Sequence, residues 1–345
     1  MRENISIANV NSILYIGASV TAQKNGYRSE LNSLLENNYG NEIKETVVAT
    51  GATGSLFALC NLSEIKLDAD YDLAIIEYST GDLNLGLTPL DMIENVIQQL
   101  VTKLNSIAKS IVILHNYRSD FEDKKGDIVR QLYNNVAERC GIPVINNAKM
   151  IESLKLSMTS GEFSLLYRDN VHSTPAGSKL VAQYIFEGLV NLGDIPKHKN
   201  FQDSESFASM YKLVDIIHRK DGDYVYPATQ QIFPFVSFKK GEKLEVLIKG
   251  ELWGLVSIVG PKSSWVRGFT NEEQIVDYAH FDQHCYYTRV QPRIIRRTYN
   301  EFTKLTFEIT DKEIDASICK EPHKDHLAPR QASYTMFMGR NLEFM

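Results

Sequence analysis

The chain has no run of 18 uncharged apolar residues, so no membrane-spanning helix is expected. It is poor in cysteine. The four, Cys60, Cys140, Cys285 and Cys319, are scattered, and no C-x-x-C pair occurs, which argues against a zinc ribbon or a redox dithiol. There is no surplus of positive charge. Lys and Arg number 37 against 43 Asp and Glu, a net charge of −6, so a general nucleic-acid partner is not expected. Arg293, Arg296 and Arg297 read as a solvated face. Residues 1–11 mix charges and amides without an apolar centre, so no secretory signal is read there, and a cytoplasmic setting is the expectation. Glycine and proline, 20 and 10, form no low-complexity tract, and no internal repeat is evident.

What is present is an ordinary globular balance, 43% apolar and 23% charged, over 345 residues, which suits two domains. Residues 1–195 alternate strand and helix signals. Apolar runs at 13–16, 46–49, 73–76 and 111–114, with a weaker one at 142–145, suit strands buried on both faces of a parallel sheet. Helical spacing appears at 26–38, 90–107, 128–140 and 175–192. This predicts an α/β sandwich with right-handed crossovers. From 196 to 345 the pattern is mostly β. Short strands are read at 224–226, 232–238, 244–248, 256–259, 286–290 and 302–309, predicting a β-sandwich or jelly-roll-like domain. The polar stretch 193–207 reads as the linker.

Ligands of an open α/β sheet bind at the carboxyl ends of its strands. The first strand runs into Gly17-Ala18-Ser19-Val20-Thr21, the second into Thr50-Gly51-Ala52-Thr53-Gly54, the third into the segment from Glu77 to Asn84, and the fourth into His115-Asn116-Tyr117-Arg118. Before the last helix stands Asp169-Asn170-Val171-His172. A serine hydroxyl is a poor nucleophile until a base takes its proton. An imidazole does so near neutral pH, and a carboxylate on its far nitrogen fixes the tautomer. Ser19, His172 and Asp169 supply these three residue types.

In this order, on these elements, the motifs resemble the GDSL/SGNH hydrolase superfamily over about residues 10–195. The resemblance implies a flavodoxin-like three-layer α/β/α domain and a serine esterase. Ser19 would be the nucleophile, His172 the general base and Asp169 its orienting partner. The backbone N–H groups of Ser19 and Gly54 would hold the oxyanion. The chain departs from the pattern in two places. Ala18 stands where aspartate is usual, and Gly81 stands where the family places an asparagine, its third oxyanion donor. Asn84, a backbone N–H near Gly81, or a slow or inactive centre are the alternatives. Asp82 and His115 are candidates for substrate contact, while Arg118 reads as a structural loop contact. No cofactor is expected.

The expected substrate is a small acyl ester, an acetyl group on a carbohydrate. An O-acetyltransferase through the same acyl-serine is the close variant. A degenerate scaffold with a glycan- or protein-binding β domain is the reading from another class. His280, His284, His323 and His326 read as ordinary histidines rather than metal ligands, because no other ligand cluster accompanies them. Trp253, Trp265, Tyr286 and Tyr287 read as core aromatics, with a sugar-stacking platform as the alternative.

Overall fold

A computed structural model describes residues 4–64, 70–85, 88–119, 124–196, 208–227, 231–271, 273–328 and 330–345. The chain divides into two compact units, Met1–Asp203 and Ser204–Met345.

In the first unit the order is β1 (Ile5–Ser6), β2 (Ser12–Gly17), α1 (Ser19–Ala22), α2 (Tyr27–Tyr39), β3 (Lys44–Ala49), α3 (Ser55–Glu64), β4 (Tyr71–Glu77), α4 (Ser79–Leu85), α5 (Leu90–Leu104), β5 (Ala108–His115), α6 (Lys124–Cys140), β6 (Val144–Asn146), α7 (Asn147–Leu156), α8 (Ser160–Ser164), α9 (Pro175–Asn191) and β7 (Asp194–Ile195). Strands β2 to β6 form one parallel sheet in the order β3-β2-β4-β5-β6. That is the flavodoxin-like order, and its direction reverses at β2 and β4. The apolar runs are continuous because both faces are covered. Ile13 to Ile16 are all fully buried. Ile13 and Tyr15 pack with Leu31 and Leu35 of α2 and Val181, Ile185 and Leu189 of α9. Alternate residues of a strand face opposite ways, so Leu14 and Ile16 face the layer of α3, α5 and α6. The short β1 pairs antiparallel with β7, which ties residues up to 195 into this unit.

The second unit holds β8 (Ser209–Lys212), α10 (Leu213–Ile217), β9 (Gly222–Tyr226), β10 (Gln231–Lys239), β11 (Lys243–Val259), β12 (Trp265–Phe269), β13 (Gln274–Ala279), β14 (Arg289–Ile309) and β15 (Gln331–Phe344). These strands form one antiparallel sheet in the order β13-β12-β14-β11-β15-β10-β9, with β8 on β15. One apolar cluster draws on α10 and on every strand from β10 to β15, so the sheet curves around its own core. The expected α/β domain and the separate β-rich domain are both present.

Two long strands replace several expected short ones. β11 unites 244–248 with 256–259, and β14 takes in 302–309. The register between β11 and its neighbours shifts at Gly250 and Gly254. Gly250 has φ +112°, a conformation that favours glycine. These β-bulges carry the strand through residues that read as breaks. Among the described residues no helix is long and apolar enough to cross a membrane.

Candidate active site

β2 ends on Gly17, and a Cβ there would lie 2.1 Å from Thr21 Oγ1 and 2.7 Å from the Glu77 carbonyl. Only glycine lets the chain turn this sharply. Ala18 is extended and donates its N–H to the Glu77 carbonyl (3.2 Å). Ser19 then opens α1, at the reversal point of the sheet. As the first helical residue it has no carbonyl one turn back, and its N–H has no partner among the described residues.

His172 comes from the loop between α8 and α9. Asp169 Oδ1 accepts the backbone N–H groups of Val171 (2.9 Å) and His172 (2.7 Å), which closes the loop as an Asx turn. His172 returns its carbonyl to the Arg168 N–H (3.0 Å). Thr174 then caps α9 by accepting from the Gly177 N–H (3.2 Å), with Pro175 next. The loop is also tied to the nucleophile side of the sheet. Gln23 Nε2, one residue past α1, donates to the Ser173 carbonyl (3.1 Å). Ser178 Oγ donates to the Asn25 carbonyl (3.2 Å) and lies 2.8 Å from Ser173 Oγ.

These ties bring three side chains into line. Ser19 Oγ lies 2.8 Å from His172 Nε2, and His172 Nδ1 lies 2.8 Å from Asp169 Oδ2 and 3.0 Å from Oδ1. A carboxylate accepts only, so Nδ1 carries the proton and Nε2 is left as the acceptor for the serine hydroxyl. Burial pushes the Asp169 carboxyl up, but the two backbone N–H bonds and the imidazole outweigh it and hold it below the usual carboxylate range. It is therefore ionised at neutral pH. The side chain of His172 is 23% exposed and that of Asp169 49%, so a small molecule can reach the relay. The arrangement can move a proton from a hydroxyl to an imidazole and stabilise the imidazolium that results.

Gly54 follows a loop in which Ala52 adopts φ 57° and Thr53 Oγ1 donates to the Thr50 carbonyl (2.9 Å). The Gly54 N–H has no partner among the described residues. A Cβ on Gly54 would meet Asp82 Oδ1 at 2.3 Å.

Two sequence expectations need correction. Asp82 is buried rather than set toward a substrate. Its Oδ1 accepts the Ser55 N–H (2.8 Å) and its Oδ2 the Tyr133 hydroxyl (2.6 Å). It anchors the start of α3 directly after Gly54. Burial raises its carboxyl despite these donors. His115 is likewise fully buried, with Nδ1 3.1 Å from Ser79 Oγ and Nε2 3.0 Å from Asn134 Oδ1. Burial pushes its imidazole down to about 4, so it is neutral at physiological pH. His115 closes β5 and Asp82 lies on α4, and both side chains turn inward. Arg118 is also buried and donates from Nη1 to the Thr80 carbonyl (3.1 Å).

The Gly81 N–H is committed to the Tyr78 carbonyl (2.9 Å). A Cβ at this position would lie 2.3 Å from the Thr53 carbonyl and 3.0 Å from Ala18 Cβ. With this backbone there is no room for an asparagine side chain where the resemblance places one. Asn84 lies on α4, and its side chain is outside the described residues.

Sequence reasoning missed Glu77, Thr21, Tyr133 and Gln23. Glu77 stands directly after the apolar run 73–76, but that its carboxyl turns inward is seen only in the fold. In the second unit, His326 Nε2 lies 3.2 Å from the Cys285 carbonyl, and His323 Nδ1 accepts the Asp325 N–H (3.1 Å), both loop contacts. Trp253 is buried, and Trp265 lies under Lys312 Nζ, 4.5 Å from its ring. Tyr286 and Tyr287 line a cavity of about 560 Å³ together with Tyr224.

No family model matches the chain, and a search of curated proteins finds no match. Among solved structures, the chain is similar to a two-domain esterase, CEX, active on acetylated mannans. The TM-score is 0.67 and identity 14%, covering 95% of this chain and 91% of that one. The same esterase co-crystallised with mannopentaose matches with TM-score 0.66 and 15% identity, over 95% and 90% of the two chains. Axe2, an acetylxylan esterase from Geobacillus stearothermophilus, matches with TM-score 0.47 and 16% identity, over 54% of this chain and 96% of that one. At such identities the two-domain likeness establishes the fold.

Proposed function

We propose that the chain is a serine esterase of the SGNH type, removing an acetyl group from a carbohydrate ester. The observation that carries this reading is the 2.8 Å approach of Ser19 Oγ to His172 Nε2, with Asp169 on the opposite ring nitrogen. Residues 150 or so apart in sequence do not meet in that order by local folding alone. The carbohydrate acetyl ester is taken from the fold's two-domain neighbour, an esterase active on acetylated mannans.

In the reaction, Ser19 Oγ attacks the ester carbonyl carbon while its proton passes to His172 Nε2. The carbonyl oxygen becomes an oxyanion held by the free N–H groups of Ser19 and Gly54. The tetrahedral intermediate collapses, breaking the bond to the sugar oxygen, which leaves with the imidazolium proton. Water then gives its proton to His172 and attacks the acetyl-serine. Acetate departs and Ser19 regains its proton. A sugar hydroxyl in place of that water would give an acetyltransferase.

Gly81 favours a second reading, a degenerate scaffold. An asparagine donor cannot occupy that position, and loss of one oxyanion donor costs about 100- to 1,000-fold in rate. Turnover of p-nitrophenyl acetate and of acetylated oligosaccharides separates the two. The esterase reading expects turnover that falls at least roughly 1,000-fold in Ser19→Ala. Turnover that survives Ser19→Ala removes Ser19 from the mechanism, and a wild type inert to every activated ester supports the scaffold.

A further inference from the structure

Beneath the nucleophile turn lies a carboxyl that the proposed reaction does not use. Glu77 closes β4, is fully buried, and touches both helices that begin at the site. Its Oε2 accepts from Thr21 Oγ1 on α1 (3.0 Å), and its Oε1 accepts from Thr80 Oγ1 on α4 (2.6 Å). Its own carbonyl holds the Ala18 N–H (3.2 Å). Thr21 Oγ1 is also 3.0 Å from the Tyr27 hydroxyl, and the Thr21 carbonyl accepts from Arg28 Nε (2.5 Å).

The four-residue α1 has no core stripe of its own to fix it, since only Val20 and Thr21 are buried. Its orientation must come from hydrogen bonds. The carbonyl of Glu77 holds the residue before Ser19, and its carboxyl holds the residue two after. The same carboxyl grips Thr80, beside Gly81, whose Cα packs against the Thr53 carbonyl just before Gly54. One side chain thus joins the segment bearing the nucleophile to the one bracing the Gly54 loop.

We propose that Glu77 is a positioning residue, whose carboxyl, held between Thr21 and Thr80, aims Ser19 at His172 and at the ester carbonyl. This rests on the esterase reading. A buried carboxyl costs stability unless its oxygens are bonded, and here each oxygen accepts a threonine hydroxyl. Such bonds fix a direction between the two helices, which apolar contacts alone do not.

The charged and titratable groups on the surrounding elements are Tyr27 and Arg28 of α2, Asp82 of α4, His115 of β5 and Tyr133 of α6. Desolvation raises the Glu77 carboxyl to about 7, in spite of the threonine donors. Its titration is therefore observable under native conditions, while His115 titrates at about 4.

The test uses Glu77→Gln and Thr80→Val in the full chain. Exhaustive labelling of Ser19 with a fluorophosphonate counts competent sites, and stopped-flow acylation by p-nitrophenyl acetate gives the rate of attack per site. The expected result is an acylation rate per site lower by roughly 10- to 100-fold in Glu77→Gln, with the substrate concentration at half-maximal acylation changed less than about twofold, because a misaimed nucleophile loses rate rather than binding. Thr80→Val gives a smaller loss of the same kind. A merely structural Glu77 would instead lower the labelled fraction and the melting temperature and leave the acylation rate per site intact. That result overturns the proposal.

A second arm does not need turnover. In a His172→Ala background, the backbone amide resonance of Ser19 is followed from pH 5 to 8.5. It is expected to titrate with a midpoint about 7, and to stop doing so when Glu77→Gln is added. An amide that ignores Glu77 overturns the proposal. A wild type that turns over no ester overturns the esterase reading separately, and the amide titration still decides whether Glu77 governs the Ser19 turn.

Discussion

At the scale of the residue, buried carboxyls set the terms. Glu77 and Asp82 are both sealed from solvent near the candidate site, and neither has a cation within bonding distance among the described residues; hydroxyl and backbone donors serve instead. The consequence for Glu77 is a stability that depends on pH. Its folded value is raised to about 7 from an ordinary 4.5, so the folded state holds the proton more tightly than the unfolded chain. The contribution is complete below about 4.5 and is lost as pH rises through 7. The loss amounts to about 3 kcal/mol at 1.36 kcal/mol per unit. Urea unfolding of wild type and Glu77→Gln at pH 4.5, 6 and 8 checks this. The wild type is expected to lose stability relative to the variant over that span and to stay level above pH 8. A constant difference contradicts it.

Residue-level legibility was uneven for the same reason. Ser19, Asp169 and His172 were readable because their spacing and order carry a chemistry, and the fold brings the three within hydrogen-bond distance. Asp82, on α4, and His115, at the end of β5, were read as facing a substrate, and both turn inward. Nothing in a single sequence says whether a polar side chain at a strand end turns outward to a ligand or inward to a helix. Tyr133 and Asn134, the partners that draw them in, lie on α6, far along the chain.

At the scale of the element, the segments after β2, β3 and β4 are held at backbone contact distance. Gly81 is the tightest point, with α4 pressed against the Thr53 carbonyl and Ala18. Gly81→Ala is expected to push α4 away from both. It should lower the melting temperature by several degrees, in line with about 1–3 kcal/mol for overpacking, and reduce kcat more than KM. Unchanged stability and kcat would mean that the packing is softer than the geometry indicates. Gly81→Asn should not restore a third oxyanion donor, for the same want of space.

Parallel strands were legible as unbroken apolar runs because both faces of the sheet are covered. The antiparallel unit was less so. β11 and β14 pass through bulges, where Gly250 and Gly254 imitate turn signals, and Arg296 takes φ 58° inside β14. β15 escaped notice because Gln331 to Thr335 mixes polar and apolar residues, and Arg340-Asn341 looks like a turn. Asn341, at φ 52°, is instead a local irregularity in a continuing strand. Tyr286 and Tyr287, expected in a strand, precede β14 and border the cavity.

At the scale of the whole molecule, the chain joins an α/β unit carrying the candidate site residues to a β unit with its own core. The two-domain likeness spans 95% of the chain at 14% identity. Such likeness is possible because apolar patterning and a few glycine and polar fixtures specify the fold, while most surface positions are free to change. The α/β fold of the first unit was legible in its apolar runs. The second has none with a mechanism attached, and its architecture had to be seen.

The account turns on an acyl group passing through Ser19. Wild-type protein is mixed with p-nitrophenyl acetate, quenched in acid within milliseconds to seconds, digested and measured by mass. An acetyl group of about 42 Da on the peptide containing Ser19, absent in Ser19→Ala and formed far more slowly in His172→Ala, is the predicted result. Ester turnover in which that peptide never carries the acetyl group, or in which the His172 variant acetylates at the wild-type rate, would contradict it.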